Sequence, residues 1–170
     1  DLEEMNRLIG EFIDFSRGLE NDAPQTIDLS RLLHELAHDA TAGGARIEYR
    51  VAPPCVRTLG LMALRRILSN LLGNAQRYGA GQPIILELSC SAENTVFRVL
   101  DRGPGIPAEE VENVFHPFYR LETSRSAATG GSGLGLAIAQ QLADANGWKI
   151  ELLPREGGGT EARLSLGGIE

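Results

Sequence analysis

Apolar residues recur at helical spacing through the first 20 residues of the chain. This spacing predicts a helix pressed against another helix, as in a coiled coil or a bundle. The partner is either a second copy or the chain's own domain, and we favour the second copy because "GLENDAPQT" follows as a linker with breaker residues. The apolar stripe consists of Leu2, Met5, Leu8, Ile9, Phe12, Phe15 and Leu19.

After this linker, segments with the apolar spacing of a β-strand alternate with segments that have the spacing of a helix. A short edge strand near Ile27 leads into a helix capped by Asp28 or Ser30. Further predicted helices are "GLMALRRILSNLLGNAQRYG", a short one in "PAEEVENVF" and one from about Leu134; predicted strands are "RIEYRV", "PIILELSC", "TVFRVLD", "WKIELLP" and "TEARLSL". The sum is a two-layer α/β sandwich, one mixed sheet with helices on one side.

Composition narrows the classes of partner. With 42% hydrophobic residues and a net charge of −7, the chain is an ordinary globular protein without a general nucleic-acid surface. An anionic ligand would therefore need local arginines, backbone N–H groups or a metal ion. Cys55 and Cys90 have neither metal-site spacing nor a disulfide framework, so a reducing cytoplasm is expected. No membrane-length apolar run or signal peptide is present, and the start on "DLEEMNRL" suggests a piece of a longer protein.

The stretch "GGSGLGLAIAQQLA" at residues 130–143 places glycines at the start of a helix, where free N–H groups favour an anion. It is not a P-loop, which needs Gly-Lys-Ser/Thr, because Lys149 is the only lysine in the chain. It is not a dinucleotide-binding turn either, because no strand pattern precedes the glycines. The sequence of this stretch alone leaves its ligand open.

Four further sequence elements can each be explained by a purely structural role when taken alone. Asn70 and Asn74 share one helix face and could be solvated amides. "DRGPGIP" could be a tight turn, and Phe115 and Phe118 around Pro117 could be core aromatics. "EGGGT" at 156–160 could be a hairpin turn.

Taken in order, these five elements resemble the N, G1, F, G2 and G3 boxes of bacterial sensor histidine kinases, and "EFIDFSRG" with "DRGPGIP" is most similar to the EnvZ-like osmosensor subgroup. The resemblance runs from about Asp28 to Leu166. It implies the Bergerat ATP-binding fold of the GHKL superfamily, a mixed and mainly antiparallel sheet with helices on one face, behind an N-terminal helical stub. It divides the chain into the end of a dimerisation and phosphotransfer helix (1–20), a linker (21–27) and a catalytic ATP-binding domain (28–170).

The resemblance also implies a role for individual residues. Asp101 would accept a hydrogen bond from the adenine amino group, and Asn74 would bind Mg²⁺. Arg120, and more weakly Arg77, would contact phosphates, and residues 121–130 would form a mobile lid. The G3 residues Gly157, Gly159 and Thr160 would be mainly structural. The implied ATP-binding set is Asn70, Asn74, Tyr78, Asp101, Gly103, Gly105, Ile106, Phe115, Phe118, Arg120, Gly131, Gly133, Leu134, Gly135, Leu136 and Thr160.

Asn70 decides which reaction the resemblance implies, because hydrolytic Bergerat ATPases have a glutamate there to activate water. The implied reaction is transfer of the γ-phosphate of Mg²⁺-ATP to a histidine, and then to an aspartate of a response regulator. His34, His38 and His116 lack the neighbours of an H box, so the acceptor is expected outside this chain. The alternatives are an anti-sigma-type serine kinase, a hydrolytic ATPase and a degenerate interaction module.

The resemblance further implies the surroundings of the domain in the whole protein. It implies a homodimer formed through the N-terminal helical domain and a membrane anchor in the full-length protein. This chain would then be the cytoplasmic portion of an inner-membrane protein.

Overall fold

The computed structural model describes residues 2–20, 22–51, 54–79, 81–121 and 133–167, without the side chains of residues 4, 14–16 and 18–20. The helices are α1 (Leu2–Glu20), α2 (Leu29–Ala42), α3 (Leu61–Tyr78) and α4 (Gly135–Ala145). The strands are β1 (Gln25–Asp28), β2 (Ile47–Val51), β3 (Val56–Leu59), β4 (Ile84–Cys90), β5 (Thr95–Leu100), β6 (Lys149–Pro154) and β7 (Thr160–Gly167).

Five strands form the main sheet in the order β2-β4-β5-β7-β6. The β2–β4 pair is parallel and the other three pairs are antiparallel, which confirms the predicted mixed, mainly antiparallel α/β sandwich. Alternate residues of the strands, such as Leu86 and Phe97, are buried in one core with the apolar faces of α2, α3 and α4. Between them, residues such as Glu87 and Glu161 form ion pairs with arginines. The helices therefore cover one face and charged pairs cover the other.

Two short strands correct the predicted arrangement of one sheet. β1 pairs with β3 in a separate antiparallel sheet, and β3 was not predicted. Residues 25–27, predicted as the end of a linker, belong to β1. A strand of four residues has too few alternations to give a clear period in the sequence, which is why β3 was missed and β1 was shortened.

The predicted helix in "PAEEVENVF" is two 3₁₀ turns, Ala108–Glu110 and Asn113–Phe115. The N–H of Glu110 donates to the carbonyl of Pro107 at 2.9 Å, a bond over three residues where an α-helix would need four. This segment is thus a loop of tight turns that follows β5.

The two cysteines correct the expectation that no disulfide is present, and with it the argument from free cysteines for a reducing compartment. Cys55, just before β3, is bonded to Cys90, the last residue of β4. They are 35 residues apart in the chain, and the fold brings their Cα atoms to 6.0 Å. The bond joins the small sheet to the main sheet.

α1 packs on α3, but most of its apolar stripe faces outward. The side chains of Leu2, Met5, Ile9 and Phe12 are all more than half exposed. Those of Phe15 and Leu19 lie outside the described side chains. In the part of the chain that is described, no helix is long and apolar enough to cross a membrane.

Asp22, two residues after α1, caps the N-terminus of α3. Its carboxylate accepts hydrogen bonds from the N–H of Met62 at 3.0 Å and of Ala63 at 2.8 Å. Gly60 stands at the cap position of α3 and offers no side-chain bond. Free N–H groups at a helix start need an acceptor, so Asp22 supplies from 40 residues away what the local sequence lacks.

We predict that Asp22→Ala lowers the free energy of unfolding by about 1 kcal/mol, the usual cost of losing a helix cap. Hydrogen exchange should accelerate at Met62 and Ala63. The matched control is Asp28→Ala, because Asp28 caps α2 through the N–H groups of Ser30 and Arg31. This control should accelerate exchange at Ser30 and Arg31 only; unchanged exchange at Met62 in Asp22→Ala would contradict the role of Asp22.

Candidate functional site

A cavity lies between α3, the ends of β5 and β7, and the loop that follows β5. Its floor is apolar because Val99, Ala162 and Leu152 are register neighbours on three adjacent strands and all point into it. Ten of the predicted ATP-binding residues line this cavity: Asn74, Tyr78, Asp101, Gly105, Ile106, Arg120, Gly133, Gly135, Leu136 and Thr160. Elements far apart in the chain thus meet at one concave surface.

Asp101 is the buried charged group of this cavity, with 8% of its surface exposed. Its Oδ1 accepts hydrogen bonds from the N–H of Gly103 at 2.9 Å and of Thr160 at 3.2 Å. Among the described residues no hydrogen bond reaches Oδ2. Burial raises the pKa of the Asp101 carboxyl, and the two N–H bonds and the nearby Arg155 oppose that rise. The result is a fixed carboxylate with one oxygen left for a donor.

Gly103 packs against the end of α3. A Cβ at this position would run into the carbonyl oxygen of Tyr78. Only glycine allows the loop to come this close to the helix, which in turn places the Gly103 N–H on Asp101. Gly103 therefore shapes the cavity from behind and does not line it.

Asn74 and Asn70 project from α3 one turn apart but have different surroundings. Asn74 lines the cavity, and its Oδ1 accepts a hydrogen bond from Nη2 of Arg77. Asn70 lies outside this cavity, and its Nδ2 donates to the carbonyl of Gly135 at 3.0 Å, which ties α3 to the first residue of α4. Arg77 also lines the cavity, so the weaker of the two predicted arginines lies in it together with Arg120.

The F and G2 elements meet at the rim of the cavity. The N–H of Phe118 donates to the carbonyl of Gly133 at 2.8 Å, and Gly133 has a φ of +76°. A Cβ on Gly133 would lie 2.8 Å from the backbone of Phe118, so this junction requires glycine. Gly131 and residues 122–130 of the predicted lid lie outside the described residues.

Three other predicted residues are not in the cavity lining. Phe115 and Leu134 pack against the core, and Phe118 is 62% exposed. The exposed Phe118 differs from the interpretation of both aromatics as core residues. Its positive φ of 65° turns the side chain outward where the chain bonds to Gly133.

Sequence reasoning missed several residues that line the cavity, chief among them Tyr119, Leu71 and Ala75. The hydroxyl of Tyr119 donates to the carboxylate of Glu110, which fixes the loop after β5. Leu71 and Ala75 lie within one turn of Asn74 on α3, so helical spacing from Asn74 could have found them. Nothing in the local sequence distinguished Tyr119 from its aromatic neighbours.

Comparison with known proteins identifies this architecture. Residues 61–167 match the family model described as "Histidine kinase-, DNA gyrase B-, and HSP90-like ATPase". The chain is 45% identical over 105 residues to the sensor protein CutS of Streptomyces coelicolor and 37% identical over 174 residues to the sensor-like histidine kinase SenX3 of Mycobacterium tuberculosis. The alignments cover 61% and 96% of this chain, but only 25% and 42% of those relatives.

A solved structure gives the same result. The ATP-binding domain of PrrB from Mycobacterium tuberculosis superposes with a TM-score of 0.71 at 27% identity, over 88% of this chain and all of that domain. The predicted resemblance to sensor histidine kinases is confirmed by both kinds of comparison. The chain belongs to the histidine kinase-, DNA gyrase B- and HSP90-like ATPase family and is a catalytic ATP-binding domain of the sensor histidine kinase type.

Proposed function

We propose that this domain binds Mg²⁺-ATP in the cavity lined by Asp101 and Asn74 and delivers the γ-phosphate to a histidine outside the chain. The observation that carries the proposal is the buried carboxylate of Asp101, held by two backbone N–H groups above an apolar floor. A flat purine suits that floor, and its amino group suits the open oxygen of the carboxylate. Guanine carries an oxygen at the same place and would leave two acceptors facing each other.

Asn74 supplies an oxygen suited to Mg²⁺, which takes oxygen ligands and keeps several waters. No group of three His, Cys, Asp or Glu side chains that could hold a metal occurs among the described residues. The remaining ligands would therefore come from water and the nucleotide phosphates. Bound Mg²⁺ would supply charge neutralisation of the phosphates. Arg120 and Arg77 would bind phosphate oxygens. Arg77 donates to Oδ1 of Asn74, and it would turn to the phosphates when Oδ1 binds the ion.

Asn70 supports transfer over hydrolysis. Hydrolysis would need a general base aimed at water from this turn of α3, and an amide is not basic. The amide is also engaged, since its Nδ2 donates to Gly135. The domain would thus hold ATP without consuming it until an acceptor approaches.

The histidines of the chain do not fit the role of acceptor. His34 packs edge-on against Tyr49 with ring centroids 5.1 Å apart, on the side of the sheet where α2 covers β2. His38 lies on the same helix, and His116 lies at the end of a 3₁₀ turn. We propose that the acceptor histidine lies on a dimerisation segment to which α1 (predicted domain 1–20) belongs, ahead of the linker and the domain predicted at 28–170.

The wider setting follows from the same assignment. We propose a response regulator as the downstream partner, homodimerisation through the helical segment, and a membrane anchor elsewhere in the full-length protein that leaves this domain in the cytoplasm. The exposed apolar stripe of α1 supports the dimer.

Asp101→Asn should weaken ATP binding about 10-fold to 100-fold, since one buried pair would be left unmatched. The amide has one acceptor oxygen: it can serve the N–H groups of Gly103 and Thr160, or the adenine amino group, but not both. Titration calorimetry with ATP and GTP measures this, with exposed Asp39→Asn as control. Equal binding of ATP and GTP by the unmodified chain would refute adenine selection by Asp101.

The raised pKa of Asp101 predicts the pH dependence of stability. A carboxyl whose pKa is raised by folding stabilises the fold fully below its unfolded pKa of about 3.9, and this contribution is lost as pH rises through the folded pKa. The melting temperature of Asp101→Asn should therefore rise relative to that of the unmodified chain as pH increases from about 4 to 7. Parallel melting curves across this range would contradict the assignment.

Incubation with γ-labelled ATP tests the transfer itself. We expect no acid-labile label on this chain, and label on an H-box dimerisation domain supplied separately. At ATP concentrations below saturation, Asp101→Asn should lower that transfer about 10-fold to 100-fold, in line with its weaker ATP binding, while Asp39→Asn should leave it unchanged. Label retained on the chain would place the acceptor among its own histidines, and sustained phosphate release without an acceptor would favour a hydrolytic ATPase.

A further inference from the structure

The small sheet of β1 and β3 buries little apolar surface. Of its apolar side chains, Ile27 and Leu59 pack partly against the core, and Val56 is half exposed. The remaining side chains of both strands are polar and mostly exposed. A two-stranded sheet is at most marginally stable by itself. Its position therefore depends on the links that join it to the rest of the domain.

Two side-chain links join β3 and the residue before it to the hairpin of β4 and β5. The first is the disulfide between Cys55 and Cys90. The second is the guanidinium of Arg57, whose Nε donates to Oγ1 of Thr95 at 3.1 Å and whose Nη2 donates to the carbonyl of Ser91 at 2.9 Å. Breaking the disulfide would remove one link and leave the other. The small sheet would then loosen without leaving the domain.

The small sheet also positions the cap of α3. Gln25, the first residue of β1, is paired with Leu59, the last residue of β3. Asp22 lies three residues before Gln25, and Gly60 directly follows Leu59. A Cβ on Gly60 would run into the Asp22 carboxylate, so the two chain segments are in close contact. Since Cys55 precedes the first residue of β3, the disulfide fixes one end of the small sheet and the cap lies at the other.

The two cysteines differ in exposure. Cys55 is 1% exposed, whereas Cys90, the last residue of β4, is half-buried. A disulfide is opened by a thiolate that reaches one of its sulfur atoms. The residue open to such an attack is therefore Cys90.

We propose that the bond between Cys55 and Cys90 is a reversible redox switch, which sets how firmly Asp22 and the α1 end of the chain are held on α3. The reductant is a dithiol. One of its thiolates attacks Sγ of Cys90 and forms a mixed disulfide, while the electron pair of the broken bond goes to Sγ of Cys55. The second thiolate of the reductant then displaces Cys90. The two protons of the dithiol end on the two cysteines, and the dithiol becomes a disulfide; exchange with another disulfide reverses the reaction.

A regulatory role for this bond fits the size of the domain. A chain of 170 residues with one continuous core does not depend on a disulfide to fold, in contrast to small secreted domains. In the cytoplasm proposed for this domain, disulfides are mainly transient and redox-sensing. Only this last point rests on the proposed function; the exchange and its effect on the small sheet do not.

Hydrogen exchange of the whole chain, measured with and without dithiothreitol, tests the switch. Alkylation in denaturant, after the dithiol is removed, should find no free thiol before reduction and both cysteines free after it. Reduction should accelerate exchange about 10-fold in β1 and β3 and at Met62 and Ala63, because one of two links is lost. Exchange at Phe97 in β5 should stay unchanged, and oxidised glutathione should restore the slow exchange.

Three variants separate the steps. Cys90→Ala should show fast exchange in β1 and β3 with and without dithiothreitol. In Asp22→Ala, reduction should accelerate β1 and β3 only, since the cap at Met62 is already lost. Arg57→Ala removes the second link, so the effect of reduction should be larger in this variant than in the unmodified chain.

A chain that stays oxidised in dithiothreitol, or that keeps free thiols in oxidised glutathione, would overturn the switch. So would reduction that leaves Met62 and Ala63 unchanged, or that accelerates Phe97 as strongly as β3, because the bond would then have no effect on the cap or would stabilise the whole domain. These results do not bear on the proposed function, which the ATP titration decides by itself.

Discussion

The hydrogen bonds from Gly103 and Thr160 to one oxygen of Asp101 are the interaction on which the site depends. A carboxylate this deeply buried is unfavourable unless N–H donors replace part of its lost hydration. One donor, Gly103, lies in the loop after β5, and the other, Thr160, is the first residue of β7. The Asp101 N–H returns a bond to the Thr160 carbonyl at 3.0 Å. The same contacts therefore close the end of the sheet and aim the free oxygen into the cavity.

α3 forms the other wall of the site, and the spacing of its apolar residues determines how the helix is oriented. Its apolar positions, such as Leu64, Ile67 and Leu71, are buried in the core and fix the rotation of the helix. That rotation places Asn74 in the cavity lining and Asn70 against the first residue of α4. Core packing and the placement of polar groups are thus one constraint, because a helix cannot turn one face without turning the other.

The sequence predicts the long elements well and the short ones poorly. α3, β4, β5 and the closing hairpin of β6 and β7 have enough residues to display a period. β3 has four, and the turns around Glu110 depend on bonds over three residues that no apolar pattern reveals. Cysteine spacing carries no distance information, so the bond between Cys55 and Cys90 follows only from the fold, which brings the residue before β3 to the last residue of β4.

For the site, the family motifs predict which residues gather but not which atoms are engaged. The pattern puts both asparagines on one face; the structure adds that Asn70 bonds Gly135 and that Arg77 bonds Asn74. Long-range partners such as Asp22, which caps α3 from 40 residues away, have no signature in the local sequence.

These long-range partners bear on how α1 is connected to the site. α1 packs directly on α3, and Asp22, just after α1, caps the same helix at its N-terminus. Both contacts reach the helix that carries the proposed ligands of the metal and the phosphates, so they connect the α1 end of the chain to the site. By linkage, any free energy that couples the position of α1 to a nucleotide bound beside α3 acts equally in both directions.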